Sequence, residues 1–134
     1  MRLLAIDPGE KRIGVAISDE SASLARPLQI ISHTARLADA ALIAQVARDH
    51  QVARIIVGQS FGLDGKPNVS GRRAARLAAA IRTQTDIPVE LWDEDFTTAD
   101  TLQVRRALGT RDRSAHIDDR AAAAILQSYL DAHR

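Results

Sequence analysis

Carboxylates stand at three separated places along this 134-residue chain, each where a fold could turn a charge inward. The first is Asp7 in "LLAIDPGEKRIGVAIS" (Leu3 to Ser18), at the end of an apolar run and just before a Pro-Gly turn. It alternates in phase with Leu3 and Ala5, so it belongs to a largely apolar face. A charge there is costly unless a cation or hydrogen-bond donors meet it. The amides of the following "PGE" could do so in an Asx-type turn, and so could a metal ion. The second place is "WDEDFTTAD" (Trp92 to Asp100), where Asp93, Glu94, Asp95 and Asp100 lie at and beyond the end of another strand. Adjacent acids repel one another unless a cation or arginines compensate them. Strand alternation puts Glu94 on the face opposite Asp93 and Asp95.

The third place is "HIDDRAAAAILQSYL" (His116 to Leu130). On a helical wheel Asp118 and Asp119 flank the apolar centre set by Ile125, Leu126, Tyr129 and Leu130, each about 50° from it. Arg120, Gln127 and Asp131 point away. Either acid could serve as a helix N-cap, and periodicity does not choose between them. If one carboxylate from each place converges at one end of a sheet, the set is made of hard oxygen donors, which suits Mg²⁺ or Mn²⁺. Two such ions would activate a water and stabilise the leaving oxygen in phosphodiester hydrolysis.

The elements that must position these acids can be read from periodicity and punctuation. Arg2 to Asp7 and Arg12 to Ser18 read as strands joined by "PGEK", and Arg26 to Ser32 as a third short strand. Ala35 to Gln51 turns helical, with Ile43, Val46, Ala47 and His50 at i, i+3, i+4, i+7. Ala53 to Gly58, "ARIIVG", is a continuous apolar run of the kind covered on both faces. "QSFGLDGKPN" (Gln59 to Asn68) reads as a loop at the rim of a site. A second helix spans Val69 to Gln84, with Ala74, Leu77, Ala78 and Ile81 on one face. Ile87 to Glu94 is the next strand. Thr97 or Thr98 caps a helix running to Leu108, Gly109 to His116 is a polar loop, and Ile117 to Ala132 is the last helix. The order predicts an α/β mixed sheet, its first three strands antiparallel and its later strands parallel, with helices on both faces. Ribonuclease-H-like folds have this order; a flavodoxin-like arrangement differs in how the first strands pair.

Composition sets bounds. The length suits a single domain over residues 1–134. Apolar residues make up 46% and charged residues 26%, with no run long enough to span a bilayer, so a soluble protein without membrane contact is expected. The start offers no signal or transit pattern, and the absence of cysteine fits a reducing compartment, so the expected location is cytoplasmic. The net charge of +1 announces no polyanion partner by itself. With 3% aromatics, base-stacking platforms are hard to build.

The segments "DPGEKRIGVAISD", "IIVGQSFGLDG", "DEDFTTAD" and "HIDDRAAAAILQSYLD" resemble, in order and spacing, the YqgF/RuvX family over nearly the whole chain. Its members are described as Holliday junction resolvases and as pre-16S ribosomal RNA nucleases. The resemblance implies a ribonuclease-H-like fold and a metal-dependent nuclease using Mg²⁺ or Mn²⁺. By position, Asp7 matches the first-strand catalytic aspartate, Glu94 the glutamate of the Asp-Glu-x-x-Thr-Thr motif and Asp118 the aspartate of the last helix. Asp119 is a neighbouring metal ligand in reserve. Lys11 and Arg12 match the basic pair after the first turn, and Thr97 and Thr98 the threonine pair. Two departures stand out. Gln59-Ser60 replaces a Leu-Pro pair in the loop, and Asp95 stands where an arginine is common, which removes a phosphate contact and adds negative charge.

Arg105, Arg106, Arg111, Arg113 and Arg120 lie close in sequence to Asp118 and would hold phosphates flanking a scissile bond, Arg111 and Arg113 foremost. Alternatively they form a solvated helix face. His116 could assist proton transfer or be a capping residue. The expected partner is nucleic acid, either precursor rRNA or branched DNA. Symmetric cutting of a four-way junction would require a homodimer. A non-catalytic nucleic-acid-binding module of the same fold, acting in ribosome maturation or transcription, is the competing reading. Phosphate binding in the manner of actin-like ATPases needs two such lobes, and the chain has room for one.

Overall fold

The computed structural model describes residues 1–94 and 113–134, with side chains over 1–94 and 120–134. Five strands form one mixed sheet: β1 (Leu3–Pro8), β2 (Arg12–Ser18), β3 (Ala25–Ser32), β4 (Arg54–Gln59) and β5 (Val89–Asp93), in the order β3-β2-β1-β4-β5. β1 pairs antiparallel with β2, and β2 with β3, while β4 lies parallel between β1 and β5. The hairpin, the third strand and the two parallel additions follow the predicted order. The flavodoxin-like pairing does not occur.

Three described helices cover the sheet: α1 (Arg36–Asp49), α2 (Val69–Arg82) and α3 (Arg113–Ala132). α1 and α2 bury Ile43, Ala47, Leu77, Ala78 and Ile81 against Leu4, Ile6, Val15, Ile55 and Val57. α3 covers the other face, where Ala122, Leu126, Tyr129 and Leu130 meet Leu3, Ala5, Ala16 and Ile56. The alternation of strand residues explains both layers, since neighbours such as Ile55 and Ile56 serve opposite faces. Each fully buried Leu or Ile contributes about 1.5–3 kcal/mol.

Three local expectations are corrected. α3 starts at Arg113, inside the stretch read as a polar loop up to His116. No glycine or proline interrupts residues 110–132, and helix propensity carries the element upstream. β5 starts at Val89 rather than Ile87, because Pro88 has no N–H for the ladder; its carbonyl still accepts Ile55 N–H at 2.9 Å. Gln127 does not point away: half-buried, it donates from Nε2 to Ser23 O at 3.0 Å and accepts Ala25 N–H at 2.9 Å. Its amide pins α3 to the start of β3, a side-chain bond that wheel geometry does not contain. The expected helix from Thr97 or Thr98 to Leu108 lies outside the described residues.

Two details shape the sheet's ends. Opposite Val15 and Ala16, β3 inserts Leu28 between Gln29 and Pro27, a bulge on an edge strand that accommodates the proline. At the β1–β2 turn, a β-carbon on Gly9 would stand 2.4 Å from the Arg12 carbonyl oxygen. Only glycine lets the chain reverse this tightly after Asp7 and Pro8.

Candidate active site

Strand register decides which acids meet. Ile6 is level with Val57, so one step on Asp7 comes level with Gly58, which pairs with Trp92. Leu3, Ala5, Ile56 and Trp92 all belong to the cluster under α3. In the same phase, Asp7 and Gly58 face α3, and Glu94 continues that phase one residue past β5. Its carboxylate turns back over β4: a β-carbon on Gly58 would stand 3.4 Å from Glu94 Oε2. The same point is 2.7 Å from Ile125 Cδ1 of α3. Gly58 therefore leaves the gap into which Glu94 and Ile125 fit.

α3 runs against the direction of β1, β4 and β5. Its Tyr129 reaches Glu90 and its Leu130 packs on Leu3 near the amino ends of the strands, whereas Ile125 lies over Gly58 near the carboxyl ends. The amino end of α3 thus points toward the edge that carries Asp7 and Glu94. Asp118 and Asp119 are in its second turn, their backbone about 10 Å of helical rise before Ile125. Their side chains lie outside the described ones.

Of the remaining predicted residues, Lys11 is exposed in the β1–β2 turn and Arg12 is half-buried at the start of β2, both at this same edge. Arg113 heads α3 without a described side chain. Thr97, Thr98, Asp95 and Arg111 are outside the described residues. Asp93 faces away from Glu94, as strand alternation requires.

Gln59 and Ser60, which depart from the resembled pattern, close the loop after β4 with hydrogen bonds. Gln59 is buried and donates from Nε2 to Gly71 O at 3.2 Å. Ser60 Oγ donates to Asn68 Oδ1 at 2.7 Å, and Asn68 Oδ1 also accepts Gly71 N–H at 2.8 Å, capping α2. Hydrogen bonds replace the rigidity that a Leu-Pro pair would bring.

At the opposite end of the sheet a polar cluster locks α3 onto β5. Glu90 accepts from Tyr129 Oη at 2.7 Å and from Arg54 Nη1 at 3.0 Å. Burial pushes the Glu90 carboxyl up, but these two hydrogen bonds together with the charges of Arg54 and His133 outweigh it and the net shift is downward. Burial, then the Glu90 partner, pushes the Tyr129 phenol above its ordinary value. Trp92 stands edge-on to Tyr129 with centroids 5.1 Å apart, and its Nε1 donates to Ser128 Oγ at 3.3 Å. Because Trp92 is two residues before Glu94, this cluster sets where the strand delivers its carboxylate.

Asp7 and Glu94 are hard oxygen donors on one wall, with a glycine leaving space between the strand ends, and this chemistry fits Mg²⁺ or Mn²⁺. Among the described residues no three acidic or histidine side chains form a metal cluster. Sequence reasoning missed Gly58 and Ile125; a glycine ending an otherwise apolar strand was the available signal of close approach.

A mixed sheet of this order, with helices on both faces, defines a ribonuclease-H-like fold. Residues 1–132 match the RuvX family, described as "Holliday junction resolvase", and the chain belongs to that family of nucleases. A relative from Anaeromyxobacter sp. (strain Fw109-5), named "Putative pre-16S rRNA nuclease", is 38% identical over 98% of this chain and 97% of its own. In fold, the chain is similar to Thermus thermophilus RuvC solved with a Holliday junction substrate (TM-score 0.65, 17% identity, 99% of this chain and 95% of that one). It is also similar to the fowlpox virus Holliday junction resolvase (TM-score 0.57, 13% identity, 98% and 99% covered).

Proposed function

We propose that the chain is a divalent-metal-dependent nuclease that processes the 5′ end of precursor 16S rRNA in the cytoplasm. The observation that carries this reading is the shared face of Asp7 and Glu94 across Gly58. The names of its relatives supply the substrate. Asp7, Glu94 and Asp118 hold Mg²⁺ or Mn²⁺, with Asp119 beside them. Bound there, the ions supply an activated water and charge stabilisation at the leaving oxygen. The chain's own groups orient the strand: Lys11 and Arg12 at the β1–β2 turn meet phosphates, joined by Thr97, Thr98, Arg111 and Arg113. The carboxylates act as ligands, not as nucleophiles.

The family description favours a second substrate, the four-way DNA junction, whose symmetric cutting requires a homodimer. A side-by-side assay on precursor rRNA and a four-way junction, with Mg²⁺ and with Mn²⁺, separates the two. Asp7→Asn is expected to lower cleavage by at least about a hundredfold, in the range of effects for groups that organise a transition state. Undiminished cleavage by this variant would refute the site. Binding of both substrates by the wild-type protein without turnover in either ion would instead establish a non-catalytic module.

A further inference from the structure

The edge that carries Asp7 has a second concavity, on the other face of the sheet. This cleft, of about 220 Å³, is walled by Gly9 of the β1–β2 turn, His33 and Arg36 at the entry to α1, and Arg73 near the start of α2. It is held in shape by a buried acid. Asp39, 2% exposed, accepts Thr34 N–H at 3.1 Å and is hydrogen-bonded to His33 Nδ1. His33 N–H in turn donates to Lys11 O at 2.9 Å, tying this wall to the β1–β2 turn. A carboxylate placed so deeply and bonded twice fixes the 33–35 connection before any ligand arrives.

The cleft's cations are Arg36 and Arg73, on two different helices and facing one concavity. Glu10 lies 3.7 Å from Arg73 but is 80% exposed, a loose pair that a ligand can displace. Among the described residues Arg36 has no carboxylate partner. Two arginines lining one preformed hollow suit the oxygens of a phosphate. Location selects which phosphate. Asp7 faces α3, Pro8 and Gly9 line the cleft, and the two sites are separated by two residues, at most about 7 Å of chain. A strand lying across the turn, over Lys11, reaches both.

We propose that this cleft is a phosphodiester subsite, in which Arg36 and Arg73 hold a backbone phosphate of the strand whose scissile phosphate lies at Asp7. The inference rests on the reading of the chain as a nuclease, and its test is independent of cleavage. Binding of a fluorescently labelled single-stranded RNA spanning the precursor cleavage region is followed by anisotropy against salt, in EDTA. Each phosphate contact contributes about 0.7 to the slope of log affinity against log salt, so the affinity lost between about 50 and 200 mM salt shrinks about threefold per contact removed. Arg36→Gln and Arg73→Gln are each expected to show that reduction. Arg73→Lys keeps the wild-type slope, and Arg26→Gln, an exposed arginine on β3 at the far end of the sheet, leaves it unchanged. A wild-type slope in both glutamine variants overturns the subsite, as does an equal reduction in Arg26→Gln. Persistent cleavage by Asp7→Asn would overturn the metal site while leaving this salt dependence standing, so the two failures are distinct.

Discussion

Gly58→Ala tests the geometry of the site most directly. The new methyl would meet Ile125 Cδ1 at 2.7 Å, about 1 Å inside van der Waals contact, and Ile125 is 2% exposed with little room to yield. Overpacking of this kind costs about 1–3 kcal/mol. Ile125→Val deletes the offending Cδ1 and by itself costs about 0.5–1.5 kcal/mol. In the double variant the added methyl occupies the space that Cδ1 leaves, and the next Ile125 atom, Cγ1, is at 3.5 Å, an ordinary contact. The pair is therefore expected to be about 1–2 kcal/mol more stable than the sum of the single variants, read from urea unfolding in metal-free buffer. Additivity within about 0.5 kcal/mol would refute the placement of Ile125 over Gly58. Glu94 Oε2, at 3.4 Å from the methyl, is touched but not displaced, so cleavage by the double variant should stay within a few-fold of wild type.

The remaining predictions concern the elements around the site. Gly9→Ala would set a methyl 2.4 Å from backbone oxygen, which cannot rotate away, and is expected to cost about 3 kcal/mol with loss of cleavage, measured by thermal unfolding and activity together. Asn68→Ala removes the α2 cap and the partner of Ser60 Oγ, at about 1–2 kcal/mol by urea unfolding, with cleavage affected less than in Asp7→Asn. Glu90 has a folded pKa below its ordinary value, so its contribution is present above that ordinary value and lost as pH falls through the folded one. Unfolding free energy measured from neutral pH to pH 3 should fall less steeply in Glu90→Gln than in wild type. Equal slopes would contradict the net effect of the Tyr129 and Arg54 hydrogen bonds and of the neighbouring positive charges.

Much of the architecture was legible because it is local. The turn at "PGEK", the apolar run "RIIVG" and the spacing of Ala74, Leu77, Ala78 and Ile81 carry their own periods, and each became the expected strand or helix face. Alternation also placed Glu94 opposite Asp93, and the phase of Asp7 with Leu3 and Ala5 set it on the α3 face. What failed to show was whatever depends on a second element. The start of α3 at Arg113 follows from uninterrupted helix formers, which polarity obscured. The grip of Gln127 on Ser23 and Ala25 spans more than a hundred residues of sequence, and no window includes both partners.

Gly58 shows why the candidate site is harder to read than the fold around it. In sequence it closes a buried strand and carries no chemistry. Its register beside Asp7 and opposite Trp92 gives the missing side chain a structural consequence, since a β-carbon there would crowd Ile125 and come into contact with the Glu94 carboxylate. The acids of a metal site announce themselves because charge is costly on apolar faces. The gap that lets them approach is visible only when three strands and a helix are assembled. The proposed phosphate cleft follows the same logic on the other face: Arg36 and Arg73 are 37 positions apart and unremarked as a pair until α1 and α2 bring them to one hollow. If both arginines prove silent in the salt titration, then the strand must leave Asp7 along the α3 side, toward the Arg113 end of the last helix. The salt dependence would then rest on that side alone, and the same titration with Arg113→Gln would show a reduced slope while Arg36→Gln and Arg73→Gln do not.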